Sequence, residues 1–332
     1  MKNINDKKAK NYEYYLNKLK KEDIQIILNN YQIKYQKNLS KDNLIKLVLE
    51  NIGFIVEYTL DIFQHDELCN IKLLIKKNGY IKVKINHLLL KFFEILKNNY
   101  LIFTDDGILF EMPVELIGMF KEKLKNKAIL NKIKNNVDEY NLILGYIDVY
   151  GFRNFKHFYE LYSMNYQLSY SDALQRIKKM AYFYGEFKIY EDKKDIYISA
   201  NNIKNIKTGK LFVPKKKTEY KEYLSKELID IHNFDYFNKK REYKKLKKFI
   251  SKSYDVEKGS FKIINLFILV PYLVENQICN EDAYSLLSTL IDKYFEFNNE
   301  KHKNKFISLV ESLVNIYPSW KLNGYNKKEK KL

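Results

Sequence analysis

Apolar residues recur three and four positions apart along most of this 332-residue chain, and little interrupts them, since it holds 10 glycines and 4 prolines. That periodicity specifies amphipathic helices. So few breakers exclude a collagen-like, linker-dominated or turn-rich all-β chain. The expected fold class is mainly α with small β-hairpins. The length allows about two or three domains, and 46% hydrophobic residues suffice for real cores. Two cysteines, Cys69 and Cys279, exclude a disulfide scaffold and a multi-cysteine zinc module. Both sit beside apolar neighbours and are expected to be buried and inert.

Residues 12–52 read as two short helices joined by an extended turn. Leu16 and Leu19 precede the run with Ile24, Ile27 and Leu28 at helical spacing. A polar connection, YQIKYQKNLS, follows. Ser40 is placed to cap a second helix with the stripe Leu44, Ile45, Val48 and Leu49. A unit this small would lean on a neighbour for stability.

The pattern Leu16-x-x-Leu19, Ile24, Ile27-Leu28, Ile33, Ser40-Lys41-x-x-Leu44-Ile45 and Ile52 resembles the Rho termination factor N-terminal module, a relative of the SAP helix-extended-loop-helix. The resemblance covers about an eighth of the chain. It implies that the lysine before the second helix and nearby basic residues face nucleic acid. Those positions here are Lys34, Lys37, Lys41 and Lys46. Tyr31 and Tyr35, interleaved with Lys34 and Lys37, are candidates for stacking single-stranded bases.

Residues 53–126 read as three helices followed by a hairpin, whose turn is Thr104-Asp105-Asp106-Gly107 between two apolar runs. This is a winged-helix order, and Pro113 starts a further helix. Residues 137–203 repeat it. One helix ends near Gly151, Asn154 caps a second, Ser169 or Ser171 caps a third, and a hairpin with a charged tip at 191–195 follows. A winged helix lays its third helix in the major groove and touches backbone with the wing. That would make Gln175, Arg176, Lys178 and Lys179 the reading residues and Lys193 and Lys194 the wing contacts. Asp192 and Asp195 flank those wing lysines and weaken their field.

Residues 204–218 read as a linker. From 219 to 325 the chain is expected to form a helical bundle. One of its helices carries seven basic residues between Lys239 and Lys248, with Lys240, Arg241, Lys244 and Lys245 as candidate phosphate contacts and Tyr243, Leu246, Phe249 and Ile250 on the apolar side. Further helices are expected at 260–276, 281–297 and 302–317. The segment Asn315-Ile316-Tyr317-Pro318-Ser319-Trp320-Lys321-Leu322-Asn323-Gly324-Tyr325 resembles a segment of a group of Gram-positive bacterial proteins with a Rho-N-like start, a helical middle and often a zinc-binding SEC-C tail. The clustered Cys and His of that tail are missing here. By packing alone, Trp320 would cap the bundle.

The net charge is +18 and the pI about 9.4, the electrostatic footprint of a phosphate-binding protein. Of 59 basic residues, however, only Arg153, Arg176 and Arg241 are arginine. Lys, Asn, Ile and Tyr all have codons rich in A and T, so codon bias accounts for part of the excess. No phosphate-cradling loop, dinucleotide fingerprint or nucleophile elbow occurs. His65-Asp66-Glu67 and Asp230-x-His232-x-x-Asp235 are acid/His clusters without zinc spacing. The N-terminus is too polar for a secretory signal. The longest apolar stretch, residues 263–274, is too short to span a bilayer. The expectation is a cytoplasmic, non-enzymatic, nucleic-acid-binding protein of bacterial, phage or plasmid origin, without cofactor or metal, with a role in transcription control. The alternative is an adaptor that docks protein partners on its winged-helix and bundle surfaces.

Overall fold

The computed structural model describes residues 9–82, 87–105, 107–213, 219–233, 235–253 and 297–330. The chain divides into two compact units, Met1–Tyr140 with Leu174–Gly185 and Asn141–Ala173 with Glu186–Leu332. Both are mainly helical with small antiparallel sheets.

In the first unit, residues 12–52 hold three helices where two were expected: α1 (Tyr12–Lys18), α2 (Lys21–Asn30) and α3 (Lys41–Glu50). The Asn11 side chain accepts the Tyr14 N–H at 2.9 Å and so creates α1 just upstream of the expected run. Ser40 caps α3 as expected, accepting the Asn43 N–H at 3.3 Å. Ile24, Ile27, Leu28, Leu44, Ile45 and Val48 are buried, while Leu49 is only half-buried. Neighbours do support this small module. The Tyr12 N–H donates to Glu115 Oε2 at 2.9 Å, Tyr15 Oη to Glu111 Oε2 at 2.6 Å, and Tyr31 Oη to the Asn99 carbonyl at 2.9 Å.

The chain continues through α4 (Ile52–Ile62), α5 (His65–Lys76), β1 (Tyr80–Lys82), α6 (His87–Asn98), β2 (Leu109–Glu111) and α7 (Val114–Lys123). The expected hairpin is present: Phe103 and Glu111 exchange backbone hydrogen bonds at 2.8 Å, and the Gly107 N–H donates to Thr104 Oγ1. The sheet also contains β1, which pairs antiparallel with β2 from Tyr80↔Glu111 to Lys82↔Leu109. Pro113 precedes α7, where a missing N–H costs nothing.

The 24-residue helix α8 (Lys127–Tyr150) starts well before the expected position and ends at Gly151. Then follow β3 (Phe152–Asn154), α9 (Phe155–Tyr162), α10 (Tyr170–Tyr184), β4 (Phe187–Glu191) and β5 (Ile196–Ala200). Asn154 caps α9 through the Lys156 N–H at 2.8 Å, and Ser169 accepts the Asp172 N–H at the start of α10. The expected hairpin β4–β5 gains β3 as a third strand, in the order β3-β5-β4.

Part of the expected linker is structured: α11 (Ile206–Gly209) and a 3-10 turn (Lys210–Phe212) bury Phe212 against Trp320 at 6.1 Å between ring centroids. Beyond it lie α12 (Ser225–His232), α13 (Asp235–Asn238), α14 (Arg241–Ser253), α15 (Glu300–Val314) and a 3-10 turn (Trp320–Leu322). The expected helices at 260–276 and 281–297 fall almost wholly, and Cys279 and Lys215–Lys217 entirely, outside the described residues. Trp320 is buried against the end of α8, with Nε1 donating to the Asp148 carbonyl at 2.9 Å.

Candidate nucleic-acid interface

The sequence-derived cations divide into those with internal partners and those without. In the first unit Lys34 and Lys37 are exposed. Lys41 Nζ donates to the Asn17 carbonyl at 2.7 Å, tying the start of α3 to α1, and Lys46 stands 4.0 Å from Glu50 one turn on. Tyr31, a stacking candidate, is buried with its hydroxyl bonded to Asn99, so no base can reach it.

Helix α10 corrects the expected reading surface. Arg176 donates through Nε and Nη2 to the two carboxylate oxygens of Glu139, each at 2.6 Å, and through Nη2 to Asn136 Oδ1 at 2.8 Å. Its side chain is 13% exposed and that of Glu139 only 4%. Lys179 Nζ donates to Asp61 Oδ2 at 2.8 Å and lies 4.1 Å from the centroid of the Tyr58 ring. Lys132 pairs with the same carboxylate. Burial raises the pKa of Asp61, but the lysine hydrogen bonds and the nearby Arg176 outweigh it and hold this carboxyl below its usual range. These are the charges that dock α10 within the first unit, beside its buried Ile177 and Met180. Lys178 is half-buried, and of the four expected readers only Gln175 is exposed.

At the hairpin tip Lys193 and Lys194 are exposed. The flanking carboxylates have other partners: Asp192 pairs with Lys210 at 2.7 Å, and Asp195 accepts from Asn154 Nδ2 at 2.9 Å.

A cationic surface lies in the second unit, between α14 and α15. Tyr243, Leu246 and Ile250 bury one face of α14. Phe249, expected among them, sits at the border, half-buried, tilted against His302 at 4.8 Å and near Phe306 at 6.1 Å. His302 Nε2 and Ser253 Oγ are 2.8 Å apart, which joins the two helices at their rim. Between them runs a groove of about 730 Å³ lined by Lys245, Lys248 and Lys252 of α14, Lys301 and Lys305 of α15, with Phe249 and His302 as its rings. Among the described residues no carboxylate lines it. None of the five lysines has an ion-pair partner among the described residues, and Lys305 lies 5.9 Å from the Phe249 ring centroid. Of the other expected contacts on this segment, Arg241 and Lys244 are exposed and Lys240 covers the Tyr236 ring at 4.1 Å.

Of these five, Lys245 was a named sequence candidate and Lys248 closed the basic run expected to anchor phosphate, while Lys252, Lys301 and Lys305 were not foreseen. Lys248 and Lys252 continue the stripe of Lys245 at i+3 and i+7, and Lys301 and Lys305 are an i,i+4 pair. That signal was present, but not the pairing of two helices so far apart in the chain.

Among the described residues no group of three or more His, Cys, Asp or Glu could hold a metal ion. His232 of the second acid/His cluster pairs instead with Asp148 at 2.8 Å. Cys69 is exposed, contrary to expectation, because α5 buries Leu68, Ile71 and Leu74 on its other side. Its Sγ lies 3.4 Å from His65 Nε2. Among the described residues no helix is long and apolar enough to cross a membrane.

Comparison with protein-family models, curated proteins and solved structures finds no match. The Rho-N resemblance of residues 12–52 therefore rests on the positions quoted above.

Proposed function

We propose that this chain is a non-enzymatic, cytoplasmic nucleic-acid-binding protein, acting in transcription termination or regulation, whose main phosphate anchor is the α14/α15 groove. The observation that carries the reading is the gathering of five lysines along one concavity, none of them in an ion pair among the described residues. Like charges held together raise the energy of the free protein, and a polyanion relieves it by releasing its own counterions. Exposed Lys34 and Lys37, in the module resembling Rho-N, and Lys193 and Lys194 at the hairpin tip are secondary anchors. Arg176 and Lys179 are not part of the surface, because Glu139 and Asp61 already neutralise them.

The test is binding of labelled polynucleotides over a salt series. Five phosphate contacts give a log–log slope of about −3.5 for a single strand and about −4.5 for a duplex. The pair K248E and K305E should lower affinity steeply. A salt-independent signal, or an unchanged affinity in that double variant, would overturn the proposal.

One observation favours the adaptor reading. Met164 and Leu224 are 83% and 73% exposed. Each directly precedes a member of the Asn165 Nδ2 to Ser225 Oγ hydrogen bond of 2.7 Å, which brings the two stretches of backbone that carry these exposed apolar residues together. M164D with L224D should leave polynucleotide affinity intact if the groove carries the function. Loss of partner binding with unchanged polynucleotide affinity would favour the adaptor.

A further inference from the structure

Resting on the nucleic-acid reading, we infer that the α14/α15 groove takes a single-stranded segment, one base lying on the Phe249–His302 rings while the flanking phosphates meet the lysines. The first argument is shape. A groove of about 730 Å³ is the size of a small-ligand site. A duplex turns its phosphates outward and is read by elements that protrude into its grooves. Here the rings line the groove between two helices, where an unstacked base can lie on them.

The second argument is the ring surface itself. α14 buries Tyr243, Leu246 and Ile250, yet leaves Phe249 half-exposed at the edge of that stripe. The imidazole of His302 stands 4.8 Å away, inclined 35° to it, and the Ser253 hydroxyl, 2.8 Å from Nε2, fixes its orientation. Together they make a pre-set aromatic patch. Lysines stand on both helices around it, Lys248 and Lys252 on one and Lys301 and Lys305 on the other. Aromatic surface flanked by cations is the arrangement that binds single strands with little sequence preference, since every base has a face to stack.

The experiment uses the full chain and fluorescence anisotropy with a labelled single-stranded DNA 20-mer, an RNA 20-mer of the same sequence and the corresponding DNA duplex, at several salt concentrations. The single strands should bind more tightly than the duplex. Phe249→Ala should weaken single-strand binding about tenfold or more while leaving the salt slope unchanged, because stacking, not a phosphate contact, is lost. Phe249→Trp should restore binding, and Phe249→Leu, which keeps apolar volume, should not. Circular dichroism confirms that each variant is folded. Equal affinity for duplex, or full affinity in folded Phe249→Leu, overturns the single-strand inference while K248E/K305E still tests the broader reading. Displacement of the 20-mer by equimolar ATP overturns it in favour of a free nucleotide.

Discussion

The indole of Trp320 occupies the space that a side chain on Gly151 would need: a Cβ there would lie 2.1 Å from Trp320 Cδ2. Gly151 also has φ +69°, a conformation that L side chains rarely adopt. The last turn of α8 and the Pro318–Tyr325 segment are thus fitted to each other. Gly151→Ala combines left-handed strain with overpacking and should cost about 2–5 kcal/mol. Trp320→Phe forfeits the bond to the Asp148 carbonyl and should cost about 1 kcal/mol or somewhat more. Urea unfolding measures both, and a neutral Gly151→Ala would contradict the fit.

Arg176 distinguishes a structural cation from a reading one. Removing it leaves Glu139 buried without its bidentate partner, which should cost about 3–5 kcal/mol. Under conditions where Arg176→Ala is still folded, its polynucleotide affinity should match that of the parent chain. A stable variant with weakened binding would restore α10 as a reader.

Acid titration offers two opposite signs in one unit. Asp61 has its folded pKa depressed by Lys132 and Lys179 against the effect of burial. Its contribution is present above the unfolded value of about 3.9 and is lost as pH falls through the lower folded value. Glu67 is raised by burial. Its folded form holds the proton more tightly, so its effect is to lower stability as pH climbs from about 4.3 through the folded value. Stability measured by urea midpoint against pH should therefore lose part of its acid-side rise in Asp61→Asn. It should lose part of its decline above pH 4.3 in Glu67→Gln. Identical pH profiles in both variants would contradict the assignment.

The groove lysines should behave differently from both. K248E/K305E removes two phosphate contacts and should reduce the single-strand salt slope by about 1.4. Because neither lysine has an ion-pair partner among the described residues, stability should stay within about 0.5 kcal/mol of the parent. A large loss of stability would mean that these side chains hold the fold.

What could be read from sequence was local. Ser40, Asn154 and Ser169 announce their helices through side chains that reach only two or three residues, and Gly107 announces its turn. The three-residue strands β1 and β3 were missed, because each is defined by a partner far along the chain, such as Arg153 opposite Ile198. The role of Arg176 was missed for the same reason: its carboxylate lies 37 residues away on α8. Charge patterning marked α14 as basic, but only the packing of α15 against it turns two lysine stripes into one concavity.

Arg153 on β3 shows how far such dependence extends. It is fully buried, its hydrogen-bond acceptors are the Phe152 and Phe212 carbonyls and Asn323 Oδ1, and burial pushes its pKa below the ordinary arginine value. Its buried Nε finds no hydrogen-bond partner among the described residues, so each remaining acceptor matters the more. Clipping the chain upstream of Asn323 would therefore be felt 170 residues earlier in sequence, as a loosened first strand of the β3-β5-β4 sheet. Asn323 thus serves β3 as an acceptor supplied from far along the chain, and its loss would reach the sheet through Arg153.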